Sequence, residues 1–379
     1  MPPPSTSRRV FLRQAGGLAV GLTFLPLAGC EDNLVEPKVT GTTLSFLSPV
    51  DDPNPDAAFY VQFGAAAAVA NWPGVPDLSQ QAWTLRLDGL VANPLTLRFA
   101  DLQAEAASAL TVLKTMRCII DGNFVPGLIG NAYWTGIPLR LFLDRAGVDQ
   151  TRTRRLRLYG ADGFTNNLKL DQVYGPRPQD TFEPLLVYEM NGAPLTPDHG
   201  FPVRLLVHED YGYRNVKWIE RIEATDDDTV FGSYQEVLGY TDEATVRVVN
   251  KATQPLNRET IPAGTFLVAG YALSGFAGVE KVEVSIDGGA FTEARILPLD
   301  EIVASNPALR QTLQVQDASR FPYPYRSVWA LWEFPWDAPP GSHTLLIRAT
   351  DAAGNTQPDE DDVFDDGLNP VFQVRVTVT

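Results

Sequence analysis

The chain has 379 residues and a formal net charge of −16, with 44% hydrophobic and 20% charged residues. That acidity excludes a nucleic-acid binder, because phosphate recognition needs a basic face, and the length asks for two hydrophobic cores rather than one. Thirty Gly and thirty Pro predict many turns, and the only cysteines are Cys30 and Cys118.

Residues 5–30 read STSRRVFLRQAGGLAVGLTFLPLAGC. A charged start, a short apolar stretch and small residues at its end form an export signal, and Arg8-Arg9 ahead of Val10-Phe11-Leu12 points to the twin-arginine route. The stretch is too short and Gly-rich to span a membrane. Leu27-Ala28-Gly29-Cys30 resembles a bacterial lipobox, in which Cys30 becomes the first mature residue and is lipidated. The expected location is periplasmic or otherwise extracytoplasmic, with a lipid anchor as the sole membrane attachment. Removing the signal, residues 1–29, takes away three arginines and no acid, so the mature charge is −19; this suits a basic partner. The twin-arginine route exports folded proteins, which raises the expectation of a buried cofactor. Lipid on Cys30 would leave Cys118 a lone thiol in an oxidising compartment, so it should be either buried or ligated.

Residues 30–56 carry turn formers without periodicity and read as a tether. From 57 to 240 the pattern is mixed α+β. Residues 82–102 alternate apolar and polar around a turn at Ala92-Asn93-Pro94, which predicts a strand pair leading into a short helix. A strand follows over 109–118. Residues 137–148 have helical spacing, with Pro138 in the first turn and Gly147 as the stop. Strands are predicted over 154–164, 201–212 and 216–225. From 241 to 379 the pattern changes to short alternating strands (244–250, 264–274, 279–289, 327–336, 343–355 and 372–379), with hairpin-type loops at 287–289 and 351–355. This predicts an antiparallel β-sandwich of immunoglobulin type. The irregular insert 297–325 reads as a cap on one end, and the acidic run 359–362 as a solvated loop.

No Gly-x-Ser-x-Gly elbow, phosphate-cradling Gly loop, His-x-x-x-His pair or haem motif is present, and His199, His208 and His343 are scattered. The stretches MRCIIDGNFVPGLIGNAYWTGIPLRLFLDRAGV, ADGFTNNLKL, LLVYEMNGAPLTPDHGFPVRLLV and YGYRNVKWIERIEA, in that order and spacing, resemble the sulfite oxidase family of molybdopterin-dependent oxidoreductases. GYALSGFAGVEKVEVSIDGG and WALWEFPWDAPPGSHTLLIRATDAAGN resemble that family's C-terminal immunoglobulin-like dimerisation domain, and the likeness spans roughly residues 80–379. It implies a mixed α+β molybdopterin-binding domain followed by a β-sandwich that pairs two chains, and a molybdenum–molybdopterin cofactor. It also implies that Cys118 gives its thiolate to molybdenum, for which a soft sulfur is suited. Asp162 would hold the pterin. His199 and Arg204 would bind the cofactor, Arg being suited to bidentate phosphate contact. Asn215, Val216 and Lys217 would lay backbone groups and a lysine on it. Tyr240, in EVLGYTD, matches the family's active-site tyrosine.

Two departures bear on the substrate. The family's Arg-Asn-His loop is replaced by Gln62, Phe63 and Gly64. After Cys118 come Asp121 and Asn123, with no arginine where sulfite oxidases have a pair. A dianion needs fixed positive charge in a dry pocket. The expected activity is therefore two-electron oxygen-atom transfer on a small oxide or oxyanion other than sulfite, with an external electron carrier such as a c-type cytochrome. The alternative is a cofactor-free, lipid-anchored binding or scaffolding module.

Overall fold

Five strands form the first sheet, in the order β2 (Leu95–Arg98), β1 (Thr84–Gly89), β10 (Ile219–Thr225), β5 (Arg155–Gly160), β6 (Thr165–Lys169). Pairing is antiparallel except between β1 and β10, where Arg86 faces Arg221. The alternation seen in residues 82–102 is the cause: Leu85 and Leu87 point inward and are fully buried, while Thr84 and Arg86 face out. The helix α1 (Phe99–Ala104) follows, with the Asp101 carboxylate accepting the Arg98 N–H at 2.6 Å.

The computed structural model describes residues 46–48, 50, 60–61, 69, 71–121, 127–305, 323–363 and 365–379. The signal with Arg8 and Arg9, Cys30, most of the tether, Gln62, Phe63, Gly64, Asn123 and most of the insert lie outside these residues.

The second sheet runs β3 (Leu110–Arg117), β4 (Ile129–Pro138), β7 (Leu185–Met190), β8 (Ala193–Pro194), with β9 (Arg204–Leu206) also pairing β7. Strand β4 persists to Pro138, so this proline precedes α2 (Leu139–Ala146) rather than occupying its first turn. Gly147 ends the helix in the left-handed region (φ +66°), as expected of a glycine stop. The strand expected over 201–212 shrinks to β9. Its continuation finds other partners: Lys114 Nζ donates to the carbonyls of His208 and Asp210, and Asn215 bonds the Val207 N–H and the Tyr211 carbonyl. Side chains satisfy this backbone in place of a ladder.

The third sheet path has eight strands, ordered β11 (Val249–Gln254), β13 (Gly264–Leu273), β16 (Ala330–Ala338), β15 (Thr292–Ile296), β14 (Val279–Ile286), β17 (Gly341–Asp351), β18 (Phe372–Val378), β12 (Thr260–Ile261). It folds into a sandwich because β15 pairs with both β14 and β16. Val282, Val284, Leu345, Ile347, Val374 and Val376 on one side meet Val268, Ala272, Ala330 and Trp332 on the other. Burying each large apolar side chain contributes about 1.5–3 kcal/mol. Asp287 and Gly288, both at positive φ, turn the β14–β15 hairpin as predicted. The 351–355 loop closes on itself instead, through the Asp351 carboxylate and a Thr350–Thr356 bridge. The strand expected from 244 begins only at Val249, because Ala244 and Val246 pair with Tyr211 and Glu209. In the acidic run, Asp359, Glu360 and Asp362 are exposed, but Asp361 organises the loop by accepting from Val363 and Asn369.

Candidate functional site

Cys118 is the residue after β3. Its N–H donates to the Leu128 carbonyl (2.9 Å), its carbonyl accepts from Asp121, and the Asp121 carboxylate accepts the Leu128 N–H. The turn is thereby closed and Cys118 is 5% exposed. Burial pushes its thiol up to about 12; the Asp121 charge adds to this and Arg117 opposes it. Burial first, and then the Cys118 charge, raises the phenols of Tyr60, Tyr234 and Tyr240. Tyr240 stacks on Tyr213 at 6.0 Å, and Tyr234 meets Tyr240 edge-on at 5.5 Å. Tyr60 approaches over Gly212, where a Cβ would lie 2.6 Å from its hydroxyl.

Positive charge beside Cys118 is already consumed. Arg117 is fully buried; its Nε lies 3.3 Å from the Asp121 carboxylate, and its Nη2 donates to the carbonyls of Asp121 and Leu368. Its Nη1 donates to the Tyr211 hydroxyl.

A second pair of cations, Arg204 and Lys217, lies nearby, and Lys217 Nζ donates to the Asp198 carbonyl at 2.7 Å. Arg204, on β9, is 3% exposed; it donates to the carbonyls of His199 and Asn215 and to the Met116 sulfur, while its Nε has no partner among the described residues. Burial pulls its pKa down to about 10. Lys217 is pulled to about 7, by burial first and then by Arg204. Gly200 separates the two: at φ +102°, its added Cβ would meet Arg204 Cβ at 3.1 Å and Lys217 Cβ at 3.2 Å. His199 is held by the Thr196 hydroxyl at 2.6 Å. Asp162, 3% exposed in the β5–β6 turn, accepts from the Phe164 N–H and the Trp72 indole, and burial raises its carboxyl. Asn215 spends its side chain on the loop itself, and the Val216 carbonyl accepts the Leu205 N–H.

These residues suit a molybdopterin. The buried Arg204 guanidinium, whose Nε has no partner among the described residues, lies beside Lys217, and the two call for an anion such as the pterin phosphate. Asp162 keeps acceptor capacity beyond its two bonds, and Cys118 is a soft donor that a metal would deprotonate. Cys118, Asp162, His199, Arg204, Asn215, Val216, Lys217 and Tyr240 are thus brought to one region. Tyr60, Tyr234, Trp72 and the Arg117–Asp121 pair join them without having been read from the sequence. Tyr60 abuts the altered 62–64 loop and Arg117 abuts Cys118, so position was the available signal.

A family model described as the oxidoreductase molybdopterin binding domain matches residues 72–231, and one described as the Mo-co oxidoreductase dimerisation domain matches residues 242–378. Sulfite oxidase of Gallus gallus is 26% identical over 335 residues, covering 79% of this chain and 67% of that protein. Inducible nitrate reductase [NADH] 2 of Glycine max is 26% identical over 344 residues, covering 77% of this chain but 36% of the relative. The chain thus spans about a third of the length of the nitrate reductases it matches. The sulfane dehydrogenase SoxCD of Paracoccus pantotrophus shares the fold, with a TM-score of 0.66 and 22% identity, over 90% of this chain and 87% of that one.

Proposed function

Because the chain belongs to the sulfite oxidase family of molybdopterin-dependent oxidoreductases, we propose that it transfers an oxygen atom to or from a small substrate less charged than sulfite, exchanging electrons with an external carrier. Homologous relatives are molybdopterin oxidoreductases, which leaves the cofactor-free module without support. When bound, the cofactor supplies a two-electron redox couple. Cys118 would hold the metal, and Arg204, Lys217, His199, Asp162 and the Asn215–Lys217 loop would hold the pterin and its phosphate. In the reducing direction an oxide RO takes up two electrons and two protons and yields R and water; oxidation is the reverse. Tyr240 donates a hydrogen bond to the oxygen being transferred, since a buried phenol stays protonated near neutral pH.

The observation that carries the substrate assignment is the Arg117–Asp121 pair. Among the described residues, the cation adjoining Cys118 is paired with Asp121, and Tyr234 and Tyr240 are phenols that feel the Cys118 charge. Phenols donate to a neutral oxide but cannot balance a dianion in a dry site. The test compares turnover of sulfite with that of dimethyl sulfoxide and trimethylamine N-oxide, using an artificial electron carrier and molybdenum-replete protein. Faster turnover of the neutral oxides is expected; efficient sulfite oxidation would overturn the assignment.

The same reading puts the protein outside the cytoplasm, anchored through lipid on Cys30, dimeric through its sandwich, and served by a basic carrier such as a c-type cytochrome. The described residues hold no helix long and apolar enough to cross a membrane. Stable anchoring takes more than one acyl chain. Release of a Cys30→Ala variant from the membrane fraction is the expected result, and unchanged retention would refute the anchor.

A further inference from the structure

Tyr240 lies on a segment with little regular structure. Helix α3 (Ser233–Leu238) stops at Gly239, in the left-handed region at φ +73°. Two residues beyond Tyr240, Asp242 is gripped from two sides. Arg155 Nη1 donates to its Oδ2 at 2.8 Å; Arg214 Nη2 donates to its carbonyl at 2.5 Å and lies 3.6 Å from its Oδ1. Both arginines are themselves fixed to β6: Arg214 Nη1 donates to Asn166 Oδ1 and the Asn167 carbonyl, and Arg155 Nη1 to Asn167 Oδ1. Arg214 directly follows Tyr213, the ring stacked on Tyr240, and directly precedes Asn215. The other charged groups facing this cluster are Lys169, 3.7 Å from Asp242, Asp210, 3.4 Å from Arg214, and Asp228, 2.9 Å from Arg155. Charge-assisted bonds of this kind are about twice as strong as neutral ones.

We propose that Asp242, held by Arg214 and Arg155, is a positioning residue that sets Tyr240 against Cys118 and couples it to the Asn215–Lys217 loop. This rests on the reading of Tyr240 as the group at the transferred oxygen. The charged grip replaces the ladder that residues 239–242 lack, and it joins the chain segments bearing the two stacked rings. A purely structural ion pair would support folding without acting through Tyr240.

Asp242→Asn keeps the shape and removes the charge. In molybdenum-loaded protein, turnover of dimethyl sulfoxide should fall about ten- to a hundredfold in kcat with KM little changed. That loss should vanish in a Tyr240→Phe background, because two residues acting through one group are non-additive. Independently of activity, a 3-fluorotyrosine at position 240 should show a shifted or broadened 19F resonance in Asp242→Asn. An unmoved resonance, or additive losses, overturns the proposal. If Tyr240→Phe alone leaves turnover intact, the catalytic role of Tyr240 fails while the resonance still decides the positioning. If Asp242→Asn does not fold, Arg155→Lys loosens only the outer grip; the same 19F change in smaller amplitude is expected, and its absence overturns the proposal.

Discussion

A buried thiol pushed up to about 12 has consequences that do not depend on any substrate. In cofactor-free protein Cys118 stays protonated at pH 8, so iodoacetamide should leave it unmodified unless the chain unfolds. Its folded-state value lies above the unfolded value of about 8.5. Above that pH the unfolded chain releases a proton that the folded chain retains, so stability falls as pH rises through the window from about 8.5 to 12. Cys118→Ser lacks this penalty, and by pH 10 it should gain about 2 kcal/mol on the wild type relative to their difference at pH 7, read from denaturant melts. The same variant should lose turnover, because a hard hydroxyl replaces the soft thiolate. Lys217 has the opposite sign. Burial and Arg204 lower it to about 7, and a bound anion favours its charged form. Cofactor binding should therefore take up a proton at Lys217 above pH 7, offsetting the proton the metal displaces from Cys118, so molybdenum retained after dialysis across pH 6–9 should level off above pH 7 in the wild type but keep rising in Lys217→Met. The same pH dependence in both proteins would remove Lys217 from the anion site.

At the scale of elements, the turn between the short 3-10 helix Pro197–His199 and β9 decides whether Arg204 and Lys217 share one space. Gly200→Ala combines a left-handed φ with two close Cβ contacts, which costs about 1–3 kcal/mol. The expected outcome is a folded protein with a lowered melting temperature and depleted molybdenum; full molybdenum content would show that the two cations need no such spacing. Local pattern made much of this architecture legible. The alternation over 82–102 and in the sandwich fixes which side chains point inward, and Asp287-Gly288 and Gly147 act through their own backbone preferences. Residues 207–212 and 216–218 were misread as strand because this segment's partners are distant in sequence: Lys114, on β3, supplies the donors for His208 and Asp210. The site followed the same division. Cys118, Arg204 and Lys217 stood in recognisable stretches, whereas Tyr60, Tyr234 and the Arg214–Asp242 clasp depend on chain segments meeting in space. The neutralisation of Arg117 by Asp121 spans only four residues, yet nothing in that spacing says both are buried.

In the whole molecule the sandwich and the cysteine-bearing sheet are built into each other. Thr115 N–H donates to the Ser327 carbonyl, its hydroxyl accepts the Trp329 N–H, and Arg117 reaches Leu368. Tyr271, Leu273, Trp329 and Leu331 belong to the same core as Leu85 and Leu205. A chain ended near residue 240 should therefore lose its cooperative melt, and not merely its partner. The change of pattern near residue 241 announced a second unit, but no local signal announced this shared core. Net charge acts on a larger scale still. A net charge of −16 creates a field that favours encounter with a cationic carrier and disfavours an anionic one. Screening shortens that field to about 8 Å at physiological salt and about 3 Å at 1 M. With the full-length, molybdenum-loaded protein, the second-order rate of electron exchange with a basic c-type cytochrome should fall at least about tenfold between 10 mM and 500 mM salt. An acidic cytochrome should start slower and gain with salt, because screening then removes repulsion. Equal rates for both carriers at low salt would mean that docking is decided by a local patch rather than by the charge of the molecule, and the preference for a basic partner would fail.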